Sequence, residues 1–173
     1  MHLLLRSLRL FGAAGSAVAL LAVVGAPSAF AAETKTFTAV KTCTGPLATI
    51  PLTQTCVINP STLKILLGGT VHYTNIVFYD SAGAPVPRSS ATYMSSPVTF
   101  TAVDKRGSTA TGQCTFYIAG PKALTGHCEY WRGTGGLAGF HARMAVGTVS
   151  LTLKEYSLTG TYWFDRDHHG DED

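Results

Sequence analysis

After Ala32 the chain shows no run of apolar residues at helical spacing; short Thr-, Val- and aromatic-rich runs recur instead between clusters of Gly, Pro, Ser and Asp. That pattern predicts an all-β fold. Strands are expected near 34–41, 53–59, 62–67, 70–80, 97–104, 111–119, 123–131, 144–154 and 156–164. Gly68 and Gly69 can both take positive φ, which suits a tight hairpin turn between LKILL and TVHYTNIVFYD. The longest loop is SAGAPVPRSS, where Gly83, Pro85 and Pro87 oppose ladder pairing.

Alternation assigns faces in the later strands. Gly147, Val149, Leu151 and Leu153 point one way and Thr148, Ser150, Thr152 and Lys154 the other; Tyr156, Leu158, Gly160, Tyr162 and Phe164 likewise share a face. Each strand therefore has one wet side. Without helices to cover them, such strands close into a barrel or stack as a sandwich, and consecutive hairpins favour an antiparallel barrel of eight or nine strands.

The chain of 173 residues carries a formal charge of +3, without the basic stripe that nucleic acid requires. Nucleic-acid binding is not expected. Much of the apolar content lies at the start, where Arg6 and Arg9 precede an uncharged stretch, Leu10 to Ala32, with Ala29 and Ala31 bracketing Phe30. This reads as a secretory signal cleaved after Ala31. An uncleaved membrane anchor is the competing reading, weakened by Gly12, Gly15, Gly25 and Pro27. The sequence thus divides into a signal peptide, 1–31, a β-barrel domain, 32–164, and an acidic His-containing tail, 165–173. Cleavage yields a secreted, extracellular chain with no stable membrane insertion.

Cys43, Cys56, Cys114 and Cys128 all lie in the exported part, and an even count there reads as two disulfides. Three pairings exist. Cys43 with Cys56 and Cys114 with Cys128 is favoured, because QCTFYIAGPKALTGHC reads as two strands joined by a Gly-Pro turn, with the second pair placed symmetrically about Pro121. Neither C-x-x-C nor His-x-x-x-His spacing accompanies them, so no zinc site is expected. His168 and His169 stand among carboxylates in the tail but satisfy no ligand spacing.

Beyond Trp131 runs RGTGGLAGFHARM. A phosphate cradle needs a strand before it, a helix after it and the Lys-Ser/Thr pair, and the last two are missing. Gly133, Gly135, Gly136 and Gly139 are instead expected to form a structural loop that turns tightly and packs against the barrel. The segment GTGGLAGFHA, ahead of a small-residue strand and the closing G-T-Y-x-F strand, resembles the GGTGxFxGAxG signature of the allene oxide cyclase and dirigent barrel-like families. Several secreted bacterial proteins of unknown role are similar. The likeness covers residues from about 97 to 164, with 70–80 as a further strand. It implies an eight-stranded antiparallel barrel with an apolar lumen, assembled as dimers or trimers in plant members, that steers reactive intermediates by confinement and needs no cofactor.

Those cyclases place a carboxylate and Asn residues in the cavity. Here Glu129 is the only acidic residue between Asp104 and Glu155, and alternation puts it with His127 and Thr125 on the wet face. A lumenal acid is therefore missing, and no catalytic residue is assigned. Asn75 shares a face with Val71, Tyr73, Val77 and Tyr79, as a polar group in the cavity or as a structural amide; His72 lies opposite. The expected ligand-binding set is Asn75, Tyr73, Tyr79 and Tyr162. Trp131, Trp163, Tyr117 and Tyr130 could stack on sugars, but such aromatics more often belong to core or interface. The expected function is non-catalytic binding of a small apolar ligand or a partner. Its alternatives are a cofactor-free cyclase or isomerase and a solid-core extracellular interaction protein without ligand. A filled lumen would count against both cavity readings.

Overall fold

The structure, a computed structural model, describes residues 33–44, 52–118 and 124–165. The signal segment, the turn at Pro121 and the tail with His168 and His169 lie outside the described residues. Nine strands follow in chain order: β1 Lys35–Thr44, β2 Gln54–Ser61, β3 Thr70–Tyr73, β4 Val77–Tyr79, β5 Tyr93–Thr101, β6 Thr109–Ile118, β7 Leu124–Gly133, β8 Phe140–Ser150 and β9 Glu155–Phe164. All pairings are antiparallel, in the order β3-β2-β1-β9-β8-β7-β6-β5, and β3 also pairs with β5. Eight strands thus close a barrel. β4 is the ninth, added to the first half of β5, while β3 takes the second half. Among the described residues, 3-10 turns stand at Lys64–Leu66, Arg88–Ser90 and Gly135–Leu137.

Alternation builds the core as expected. On β1, Phe37, Ala39, Lys41 and Cys43 are buried while the threonines between them are not. On β9, Leu158 and Tyr162 point inward and Thr159 outward, as the sequence pattern predicts. One end is packed by Phe37, Phe100, Phe140 and Tyr162, and closed by Leu66 and Leu137 from two of the 3-10 turns. The other end carries Met94, Leu124, Tyr156 and Ile76. Both disulfides join residues directly opposite each other: Cys43 and Cys56 across β1 and β2, Cys114 and Cys128 across β6 and β7. All four sulfurs belong to buried residues, so the staples are part of the core.

The structure corrects several expectations. Residues 62–67 form no strand. Ser61 bonds through its hydroxyl to both the N–H and the carbonyl of Leu63, starting a turn, and Gly68 at φ 74 returns the chain to Ile58. The hairpin partner of β3 is consequently β2. The run 70–80 is broken at Asn75, whose φ of 50 shifts the alternation by one residue, so that Ile76 and Phe78 rather than Val77 and Tyr79 face inward.

β5 begins at Tyr93 and passes through Pro97. The Pro97 carbonyl accepts from Thr74 N–H, so the donor that proline lacks would point toward the same gap between β3 and β4, where no ladder partner stands. β8 ends at Ser150 instead of running to 154, because its register shifts between Thr148 and Ser150 and Lys154 takes φ 54 in the following turn. Val149, Leu151 and Leu153 are exposed. In the SAGAPVPRSS loop Pro85 makes an isolated bridge to Tyr79, and Val86 donates to the Phe78 carbonyl.

Candidate functional site

The most unusual group in the lumen is a cation. Lys41 is in phase with Phe37, Ala39 and Cys43, and this phase alone turns its side chain inward, where it is 2% exposed. On β1 it lies opposite Ile58 of β2 on one side and Tyr156 of β9 on the other. Its amine donates a hydrogen bond to the Tyr73 hydroxyl from β3. Aromatic faces complete the surroundings: Nζ lies 4.8 Å from the Tyr73 ring centroid, 5.1 Å from Phe116 and 5.6 Å from Tyr156.

Among the described residues no carboxylate pairs with Lys41. Burial therefore acts almost unopposed, and it lowers the amine from its ordinary 10.5 to about 7. The same desolvation raises the phenols of Tyr73 and Tyr130, so both remain protonated at neutral pH. What results is an amine that exists in large part as a free base, held by a phenol. Such a pair can add to an electrophile or carry a proton.

Space around it is small. Two voids touch Lys41, one of about 10 Å³ toward Leu66 and Phe140 and one of about 20 Å³ toward Ile76 and Tyr156. Each holds about one water molecule. A larger hollow lies outside the barrel wall beside β4: a groove of about 390 Å³ lined by Leu52, Ile76, Val77, Phe78, Pro85, Val86 and Pro87, with Arg88 as its one charged lining residue. Ile76 belongs to the walls of both the groove and the inner void.

At the opposite end the glycine loop is a packed structural element. Ser108 is fully buried; its hydroxyl donates to the Asp104 carboxylate and accepts from Gly136 N–H at 2.6 Å, while its own N–H donates to Asp104 at 2.9 Å. These bonds hold the Asp104 carboxyl below its usual range. Gly135 and Gly139 take φ 60 and 71, and a Cβ on Gly133 would overlap the Leu137 carbonyl.

The expected ligand-binding residues are divided by the wall. Tyr73 and Tyr162 are buried inside, Tyr73 at the amine and Tyr162 against Phe37 and Phe140. Asn75 and Tyr79 are not lumenal, because the left-handed turn at Asn75 puts both outside. Tyr79 stacks on Tyr93 at 5.0 Å, and Tyr117 and His127 continue that row across β6 and β7. Tyr79 and Tyr93 cover one another's faces, while the Tyr93–Tyr117 and Tyr117–His127 pairs are tilted by 44° and 36°; such cross-strand ring contacts brace the sheet.

Tyr117 and Trp131 are about half exposed, at 49% and 51%, whereas Tyr130 is buried; the four aromatics weighed for sugar stacking are thus split between two faces. Glu129 is exposed, 3.5 Å from Arg143. Lys41 was missed by sequence reasoning, although its alternation with Phe37, Ala39 and Cys43 carries the signal. Comparison of the chain with family models, curated proteins and solved structures returns no match.

Proposed function

We propose that this protein is an exported barrel that binds, without catalysis, a small ligand with an apolar body and an acidic head, seated in the groove beside β4. The observation that carries this reading is the groove itself. Its volume of about 390 Å³ falls in the usual range for small-molecule sites, and a mainly apolar lining with one cation matches an amphipathic anion. Two buried disulfides support export. Among the described residues no helix is long and apolar enough to cross a membrane.

Kinship with the allene oxide cyclase and dirigent barrels remains part of the proposal, supported by the closed barrel of eight antiparallel strands. A cyclase working by confinement is disfavoured, since voids of about 10 and 20 Å³ cannot enclose a substrate. Calorimetric titration with octanoate and octanol tests the reading. Saturable binding of octanoate, weakened about tenfold by Arg88→Gln, is expected, equivalent to about 1.4 kcal/mol. Equal binding of the alcohol, or no saturation, would overturn it.

A further inference from the structure

The groove reading leaves the buried amine without a role. Lys41 has no acidic partner among the described residues and touches a void on either side. If its only task were to fill volume, a methionine would fill it without the cost of desolvating an ammonium. The hydroxyl of Tyr73 stands against the same nitrogen, and Ile76 alone is common to the walls of the inner void and the outer groove.

We propose that Lys41 is a covalent capture site for formaldehyde, the smallest aldehyde. The Nζ lone pair adds to the carbonyl carbon and the C=O π pair moves to oxygen. The nitrogen loses a proton and the oxygen gains one, relayed by the Tyr73 hydroxyl, to give a carbinolamine. The Tyr73 hydroxyl then gives a proton to the carbinolamine oxygen, the nitrogen pair forms C=N as that oxygen departs as water, and the resulting iminium passes its N–H proton to the Tyr73 phenolate, leaving the imine and the restored phenol. Amine and aldehyde become imine and water, with no change of oxidation state. The site selects by size: an adjoining void of about 20 Å³, little more than the room one water needs, takes formaldehyde and refuses an aromatic aldehyde. An amine lowered to about 7 is unprotonated in about half of the molecules at neutral pH, against less than about one in a thousand for an ordinary lysine. The aldehyde arrives by displacing Ile76. The proposal stands independently of the groove's ligand, since its readout is a bond to one residue.

The folded full chain is incubated with formaldehyde at neutral pH, freed of excess aldehyde by gel filtration, reduced with borohydride in denaturant and mapped by peptide mass. A methyl group on Lys41, with little on exposed Lys64 and Lys105, is expected. Benzaldehyde leaves Lys41 unlabelled, Ile76→Ala accelerates its labelling, and Tyr73→Phe slows it about a hundredfold while Lys64 and Lys105 keep their own rates. An unlabelled Lys41 in the wild type, with Lys64 and Lys105 shown to react before filtration, overturns the proposal. So does labelling of Lys41 at the same rate in Tyr73→Phe.

Discussion

The amine of Lys41 on β1 donates to the hydroxyl of Tyr73 on β3 inside the barrel, and neither group has a charged partner among the described residues. Stability consequently depends on pH in an unusual direction. Between about 7 and 10.5 the unfolded chain holds a proton on this lysine that the folded chain has lost, so raising the pH through that window favours folding. Above about 10 the sign reverses, because Tyr73, Tyr130 and Tyr156 are raised and ionise only in the unfolded chain. Denaturant midpoints measured from pH 6 to 11 should rise by the equivalent of roughly a few kcal/mol, peak near pH 10 and then fall.

The pair should also be worth less than the sum of its losses. Tyr73→Phe leaves the amine without its acceptor and costs about 1–3 kcal/mol. Adding Lys41→Met removes the orphaned group and returns the protein to at least wild-type stability, with the pH slope between 7 and 10 abolished. Chemical denaturation of the single and double variants measures both effects.

Each disulfide closes a short loop, its cysteines 13 positions apart for Cys43–Cys56 and 14 for Cys114–Cys128. Replacing both cysteines of either pair with alanine should lower stability by about 3 kcal/mol, through the larger freedom of the unfolded chain. The two losses should add, since the pairs staple different hairpins. Non-reducing peptide maps return these two links and no crossed species.

Two glycines with positive or crowded backbone should respond very differently to alanine. At Gly107, φ is +61 and an added methyl would meet nothing within 4 Å, so only backbone strain is felt, about 1 kcal/mol. At Gly133 the methyl would collide with the Leu137 carbonyl, which the 3-10 turn holds in place; the expected loss is about 3 kcal/mol or more. Thermal melts of the two variants separate the cases.

How much of this was legible in the sequence depends on the length of each period. Long alternating strands such as β7 and β9 disclosed the barrel and their inward residues, and the Cys pairs followed from hairpin symmetry. Asn75 misled because one left-handed residue reverses every face after it, and three-residue β4 is too short to reveal the new phase. The exposed row Val149, Leu151 and Leu153 misled because Val149 sits where the β8 register shifts and Leu151 and Leu153, in the turn beyond it, imitate a strand's alternation. Lys41 followed the rule for position and broke the rule for residue type. Side-chain chemistry, not periodicity, makes that position unusual.

β5 is shared between two neighbours, β4 along Tyr93–Ser95 and β3 along Val98–Thr101. Between them the wall is joined by the Thr74–Pro97 hydrogen bond and by the Ser96 hydroxyl on the Thr74 carbonyl at 2.8 Å. A hoop under tension shares its load evenly only if every joint is equally stiff, and this joint has a fraction of the bonds that hold the other strand pairs. Outward strain on the barrel, from heat or from a molecule wedged against Ile76, will concentrate there. The fold therefore widens, when it widens, beside the groove.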